Sequence, residues 1–419
     1  MSQKVDFLII GAGIVGLTCA LALHRAKFSV VVLERSHPNQ SHLKDLSTYD
    51  NRVFAINPTV KQILSNLGLA EKIETLRTSS YHKMEVYDAA MDAHIAFDKD
   101  EVGVDRLGEI LEHKVLQSVL LEEVMARGIP CQFAANIAEV EPKTKTLILE
   151  SGERFSASHW IGADGARSWL RETMHIETDI TPYDHHAVVA TIQSEKPLYK
   201  TAYQWFHPTG PVALLPLQGS HDLSLVWSTQ PERAKALLEM DELSFNQALT
   251  QMTESRLGVL QVQSKRFSYP LSKQHAKSYW KDHSILVGDA AHVIHPLAGL
   301  GLNLGLLDAA TLRDAFVGWR AGGCVKLERW LNWYQRQRRA HNTLVMRSMD
   351  MFYHGFSSQR LGFMTLRNIG LGRLNKTLFL KKYFIDFALG KIGYTVPDLG
   401  KINHDFKKTT QGAQNALLS

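Results

Sequence analysis

The sequence predicts an α/β protein: a doubly wound parallel sheet, an inserted antiparallel β-sheet and a helical C-terminal segment. Three observations predict it. A glycine turn at Gly11–Gly16 stands between an apolar strand and a helix. From about 183 to 270 the pattern changes to short β-rich runs separated by turns. Residues 341–395 read as helical.

A length of 419 residues suits two or three domains, or one large α/β unit with an insertion. Hydrophobic residues make up 45% and charged residues 21%, which excludes collagen-like, disordered and disulfide-scaffold chains. Forty-seven Lys and Arg against 42 Asp and Glu leave +5, too weak a bias to indicate a nucleic-acid partner. The cysteines Cys19, Cys131 and Cys324 are far apart, so neither a disulfide framework nor a zinc site is expected. A reducing, cytoplasmic setting fits. The uncharged run Phe7–Leu23 is shorter than the ~20 residues of a spanning helix. It opens after Asp6 and is broken by glycines, so it reads neither as a signal peptide nor as a span.

Taken in order, Val5–Ile10 reads as a buried parallel strand, Ile14–Ala26 as a helix and Ser29–Leu33 as a second strand closed by Glu34. Gly11 permits a tight turn, Gly13 lets a pyrophosphate approach bare backbone, and Gly16 lets the helix pack close to the sheet. The helix start, with Ile14 and Val15, offers partial positive charge to phosphates. Glu34 is placed to accept hydrogen bonds from a ribose. This fingerprint leaves FAD and NAD open. Asn57-Pro58 opens a helix that Gly68 ends. Residues 82–88 and 93–98 read as two strands.

The run Trp160–Arg171 takes a strand into Asp164-Gly165 and then a helix. Ser284–Val287 is another short buried strand, followed by Gly288-Asp289-Ala290-Ala291-His292, then Pro296, Gly299, Gly301, Asn303 and Asp308. Asp289 at a strand end can bond a ribityl hydroxyl. Gly299 and Gly301 would let a flat ring lie against backbone, and the helix from about Leu300 to Trp319 points N–H groups at it. Between these stretches, Ala187–Gln193, Ala202–Phe206, Val212–Leu217 and Leu223–Ser228 read as strands, with helices near 231–255. An apolar face carrying Trp205, Phe206, Leu215, Leu217 and Trp227 is placed to roof the flavin, with most of these side chains plain core and a minority touching substrate.

Together the three motifs resemble the FAD-dependent aromatic-ring hydroxylases. Gly288–Gly299, Phe206–Pro211 and Ser348–Ser357 narrow the likeness to the ubiquinone-biosynthesis subgroup, over residues 5 to about 390. Leu300 and Leu307 depart from it, standing where the subgroup has Gln and a polar residue. The resemblance implies a Rossmann-like, glutathione-reductase-type FAD domain at 1–80, 99–182 and 271–340. It also implies a β-rich substrate domain at 81–98 and 183–270, C-terminal helices at 341–395 and a polar tail at 396–419. Arg52 matches the family's arginine near flavin and pyrophosphate, and His113 its polar flavin contact. The expected FAD-binding set is Gly11, Gly13, Ile14, Val15, Gly16, Glu34, Arg35, Arg52, His113, Asp164, Asp289, Pro296, Gly299, Gly301, Leu302 and Asn303. The expected substrate pocket is Tyr203, Trp205, Leu215, Trp227 and His295.

The implied reaction is hydroxylation of the ring of a prenylated phenol or quinol. NADH or NADPH reduces the flavin, and dioxygen adds to it as a hydroperoxide. No catalytic acid or base is assigned; His207, His292, His295 and Tyr203 are candidates by neighbourhood. His292 and His295 lack a third ligand, so no metal is expected. From Leu366 onward nine Lys and Arg face three Asp and Glu, which suits a peripheral contact at the inner membrane surface or a multi-enzyme partner. A homo-oligomer stays open. The rivals are a flavin dehydrogenase, a hydroxylase or epoxidase of another aromatic or isoprenoid substrate, and a non-catalytic member of a biosynthetic complex.

Overall fold

The computed structural model describes residues 4–37, 48–89, 93–294, 299–322 and 325–357, with Asp386, Leu389 and Gly390 beyond them. It is a mixed α/β fold. β1 (Lys4–Ile10) enters the glycine turn, α1 (Ile14–Arg25) returns along the sheet, and β2 (Val30–Leu33) lies parallel to β1. Next come β3 (Val53–Ile56), α2 (Pro58–Asn66), α3 (Ala70–Glu74), β4 (Thr78–Tyr81), β5 (Lys83–Asp88), β6 (Ala93–Asp98) and β7 (Gly108–Glu112). Asn57 caps α2 as its sequence predicts: the side-chain oxygen accepts the Val60 N–H at 2.9 Å, and Pro58 is the first helical residue.

The chain continues through α4 (His113–Ala126), β8 (Cys131–Gln132), β9 (Ile137–Glu141), β10 (Thr146–Leu149), β11 (Arg154–Gly162) and α5 (Trp169–Thr173). β12 (Thr178–Ser194), β13 (Thr201–His207), β14 (Gly210–Pro216) and β15 (Asp222–Thr229) follow. Then come α6 (Pro231–Glu239), α7 (Glu242–Met252), β16 (Leu260–Val262), β17 (Phe267–Ala276), β18 (Trp280–Lys281), β19 (Ser284–Leu286) and β20 (His292–Val293). α8 (Gly301–Ala321) and α9 (Leu327–Ser357) close the described helices.

Eight strands form the first sheet, in the order β18-β19-β11-β1-β2-β8, with β10 beside β11 and β9 beside β10. From β19 to β8 the pairing is parallel. The second sheet has nine strands, β20-β17-β12-β15-β14-β13-β5-β6, with β16 beside β12. β3, β7 and β4 make a third, small sheet. α8 packs against α1 and α9, and nearly every residue of its first three turns is buried.

β12 begins at Thr178, before the border expected at 183, and β17 runs to Ala276, past 270. Thr178 pairs with Ala276, so both strands keep their ladder beyond those borders. Val293 joins the same sheet through Gln274. The hairpin of β5 and β6 enters it through the parallel pair Trp205–Tyr87. The basic segment from Leu366 and the polar tail at 396–419 lie outside the described residues, apart from Asp386, Leu389 and Gly390. Among the described residues, no helix is long and apolar enough to cross a membrane.

Candidate active site

Four neighbouring strands end in register. Leu286 of β19 pairs with Gly162 of β11, Gly162 with Ile10 of β1, and Ile10 with Leu33 of β2. The motifs that follow these residues therefore meet at the carboxyl edge of one parallel sheet, where open α/β sheets bind ligands. The Ala163 N–H donates to the Ile10 carbonyl at 2.8 Å, and the Val287 N–H to the Gly162 carbonyl at 3.0 Å.

The glycines of the first turn do different work. Gly11 has φ +109, and a Cβ there would collide with the Ala163 carbonyl. A Cβ on Gly16 would collide with the Gly11 carbonyl, so this glycine sets the approach of α1 to the strand. A Cβ on Gly13 would have nothing within 4 Å: here the backbone borders open space at the start of α1. The first helical N–H groups have no acceptor inside their own helix and point at that space. Val15 turns its side chain toward Gly288 and Gly305, where an added Cβ would stand 3.2 and 2.7 Å from it. Glu34 bends back to the turn: Oε2 accepts the Ala12 N–H at 2.8 Å and Oε1 the Ser36 N–H at 2.9 Å. Each oxygen keeps a lone pair for a hydroxyl. Arg35 is exposed.

Arg52 and His113 come together at the start of α4. The His113 N–H donates to the Arg52 carbonyl at 2.9 Å, and the Arg52 guanidinium lies 5.3 Å from the Phe54 ring centroid. Burial, aided by the charge of Arg52, pushes the His113 imidazole down to about 4, so it is neutral at pH 7. Residues 48–52 are clamped from both sides. Arg77 makes a two-pronged pair with Glu112 and donates to the Thr48 carbonyl, while Asn51 accepts the Ser264 hydroxyl. Gln117, one turn into α4, donates to the Ala12 carbonyl at 3.0 Å. No sequence motif pointed to Gln117, because its partner is 105 residues away.

Asp164 caps α5 through Oδ2, which accepts the Leu170 N–H at 3.1 Å, while its Oδ1 is buried without a partner. Burial raises its carboxyl above the usual range, against the hydrogen bonds that hold it down. Arg171 joins the second and third motifs, donating to the Ala166 carbonyl at 2.9 Å and to the Ala290 carbonyl at 3.0 Å. Sequence reading quoted Arg171 but gave it no role. Asp289, at the end of β19, is exposed to solvent. Loss of hydration raises its carboxyl, against the pull of His292 and Arg52.

At the start of α8, Gly301 has among the described residues only Ile294 near its bare face, at 3.7 Å from an added Cβ. Gly299 instead lies against Ala55, 3.2 Å from its Cβ, at φ +60; its bare face is taken up by β3. Leu302 is in the core. The Asn303 side chain is spent within the protein: Oδ1 accepts the Asn57 N–H at 3.0 Å, and Nδ2 donates to the Ala55 and Gly299 carbonyls at 2.7 and 3.2 Å. What Asn303 can offer a ligand is its backbone. His295 and Pro296 lie outside the described residues.

These features fit FAD. Bare backbone at Gly13 faces a helix start, the Asp164 Oδ1 has no hydrogen-bond partner among the described residues, and the Asp289 side chain keeps exposed surface at the end of β19. Residues 4–349 match the family described as FAD binding domain. The chain belongs to this family of FAD-dependent monooxygenases.

This monooxygenase is 32% identical over 397 residues to 3-demethoxyubiquinol 3-hydroxylase of Escherichia coli K12, covering 93% of the chain and 99% of that protein. It is 32% identical over 441 residues to the human mitochondrial ubiquinone biosynthesis monooxygenase COQ6, covering 91% and 92%. The ubiquinone hydroxylase UbiL of Rhodospirillum rubrum is 30% identical over 405 residues, covering 95% and 92%. Its fold is similar to that of PqsL of P. aeruginosa in complex with 2-aminobenzoylacetate, with a TM-score of 0.74 at 22% identity over 88% of this chain and 100% of that one. It is also similar to p-nitrophenol 4-monooxygenase PnpA of Pseudomonas putida DLL-E4, with a TM-score of 0.74 at 19% identity over 93% and 99%.

The structure corrects the expected roof of the monooxygenase site. Strand side chains alternate between faces. Trp205, Val212, Trp227 and Val188 stand side by side on one face, and that face is covered by Leu237 of α6 and Phe245 of α7. Trp205 and Trp227 are fully buried in this second core, and Tyr203 packs against it. Leu215 belongs to the opposite face, in a row with Ser224 and Thr191. Phe206, also on that face, is packed into the core of the first sheet, and the Thr191 N–H is held by the same Ser264 that reaches Asn51.

The candidate acid–base residues are also accounted for elsewhere. His207 bonds the Met252 carbonyl of α7 at 2.7 Å. His292 is buried against Asp308 at 2.6 Å. Asp308 also accepts the Gly288 N–H at 2.9 Å and pairs with Arg338 of α9 at 2.7 Å. A buried ion network thus backs the turn that carries Asp289.

Proposed function

We propose that this FAD-dependent monooxygenase hydroxylates the aromatic ring of a prenylated phenol or quinol in ubiquinone biosynthesis, taking electrons from NADH or NADPH and oxygen from dioxygen. One observation carries the reading: a chain matched to an FAD binding domain over residues 4–349 also matches, over nearly its full length, proteins named for ubiquinone hydroxylation. In this reading the first sheet and the elements around it form a Rossmann-like FAD domain, and the nine-stranded sheet is the substrate domain.

FAD, when bound, supplies the redox chemistry that activates dioxygen. The start of α1 and bare Gly13 hold the pyrophosphate, with Arg52 adding positive charge. Glu34 takes the adenosine ribose and Asp289 the ribityl chain. The N–H groups of the first turn of α8, from Gly301 to Asn303, stabilise negative charge on the flavin ring. His113, neutral at pH 7, offers a polar contact without adding charge. The small and apolar face of the nine-stranded sheet, with Leu215 and Ser224, forms the dry wall against which the substrate ring is oriented. The basic segment from Leu366 gives a peripheral contact with anionic membrane or with a lipid-carrying partner, since a prenylated substrate is too apolar to travel free in water.

The test supplies isotopically heavy dioxygen, a nicotinamide donor and a prenylated phenol, and the product is weighed. One heavy oxygen on the ring is expected. Oxygen drawn from water, or substrate oxidation with no oxygen gained, overturns the reading in favour of a dehydrogenase.

A further inference from the structure

Two residues of the C-terminal part, Leu389 and Gly390, reach the start of α2, which the function has not used. Leu389 is 1% exposed and is buried with Leu107 against Tyr81, Met84 and Phe97. Its carbonyl accepts the Thr59 hydroxyl at 3.0 Å, so its backbone is fixed to the first turn of α2. The next residue, Gly390, has φ +73 and lies so close to Asn57 that a Cβ there would stand 2.7 Å from Nδ2. Asn57 is the junction. Its Oδ1 caps α2 at Val60, and its backbone N–H donates to Oδ1 of Asn303 in the first turn of α8. Asn303 in turn grips Ala55 and Gly299.

We propose that Leu389 and Gly390 are positioning residues for the FAD site: these two residues brace Asn57, and Asn57 with Asn303 holds the first turn of α8 in place. Leu389 supplies the fixed point, because a buried leucine with a bonded carbonyl cannot slide. Gly390 supplies the closeness, because only a residue without a Cβ lets backbone lie against the Asn57 carboxamide. Asn57 then keeps its cap and its N–H direction together. The N–H groups at the start of α8 have no acceptor in their own helix, and their aim depends on how that first turn is seated. The same contacts tie Leu389 and Gly390 to α2 and α8, far apart in sequence.

This rests on the FAD reading, and the experiment separates the two. FAD is titrated into the full-length apo-protein, following flavin fluorescence and the visible spectrum, alongside the thermal midpoint of the apo-protein. Gly390→Ala places a Cβ against the Asn57 carboxamide and is expected to weaken FAD about tenfold and shift the flavin band; strain at φ +73 lowers the apo midpoint in either Asn57 background, whereas the FAD loss depends on Asn57. Leu389→Ala, which introduces no collision, is expected to act in the same direction. Asn57→Ser keeps an oxygen to cap Val60 but removes the group that the Cβ meets. In that background Gly390→Ala should cause no further loss of FAD affinity. Unchanged FAD affinity in both Gly390→Ala and Leu389→Ala overturns the inference. So does an equal loss of FAD affinity from Gly390→Ala in either Asn57 background, which would mark local backbone strain. A wild-type protein that binds no FAD overturns the FAD reading itself and this inference with it.

Discussion

Asp308 accepts the ring N–H of His292 at 2.6 Å, and neither side chain is more than 1% exposed. The same carboxylate holds the Gly288 N–H and the Arg338 guanidinium, so one buried charge joins α8, α9 and the turn that presents Asp289. Burial alone would raise the Asp308 carboxyl, but His292 and Arg338 outweigh it and hold the group at about 2, against 3.8 for a free carboxyl. A depressed carboxylate stabilises the fold above its unfolded value, and the contribution is lost as pH falls from 3.8 toward 2. Asp308→Asn leaves Arg338 buried and unpaired, and should cost ~3–5 kcal/mol in urea denaturation at neutral pH. The gap between variant and wild type should narrow below pH 3.8. A neutral-pH loss under about 1 kcal/mol would show that the network carries no net stability.

Asp289 stands a few residues from that network but behaves differently, because it is exposed rather than sealed. Asp289→Ala should weaken FAD by ~1.5–3 kcal/mol, the worth of a charge-assisted hydrogen bond, while the apo-protein's midpoint hardly moves. Isothermal titration and calorimetry of the apo-protein measure the two separately. A large fall in the midpoint with FAD affinity intact would make Asp289 a structural cap.

The glycines of the first turn separate binding from folding in the same way. Gly13→Val puts a side chain into open space, so the apo fold should survive while FAD is lost and the yellow colour with it. Gly11→Ala drives a Cβ into the Ala163 carbonyl at φ +109, and should destabilise the apo-protein by ~1–3 kcal/mol or more. If Gly13→Val kept full flavin occupancy, the pyrophosphate would lie elsewhere.

What sequence reading found here was local. Gly11, Glu34, Asp164 and Asp289 each sit at a strand end within a short motif, and the strand that precedes each motif fixes where it lies. Contacts that join distant segments left no such trace: Gln117 to Ala12, Arg171 to Ala290, and Asp308 to Arg338. Asn303 was recognisable as part of a motif, yet its side chain faces Asn57 and Ala55, a choice set by the docking of α8 on β3. The roof was misread for another reason. Both faces of β13, β14 and β15 are buried, so alternation reveals two faces without saying which one α6 and α7 cover. Trp205 and Trp227 fall among the side chains that are plain core, and fill the second core.

That assignment of faces can be tested by paired substitutions on the nine-stranded sheet. Trp227 is fully buried, beside Val212 and Val188 in the ladder, with Phe245 of α7 6.1 Å away across the core. Trp227→Ala should therefore cost ~3–5 kcal/mol of stability through the cavity it leaves. Whatever enzyme stays folded should keep its KM for the aromatic substrate. Leu215 is half-buried on the other face, next to Ser224 and away from the second core. Leu215→Phe adds bulk where the substrate ring is proposed to lie, so KM should rise or ring preference change, with stability altered by less than about 1.5 kcal/mol. Urea denaturation and steady-state kinetics on both variants give four numbers. The opposite pattern, with KM moved by Trp227→Ala and untouched by Leu215→Phe, would return the substrate to the tryptophan face and require α6 and α7 to open.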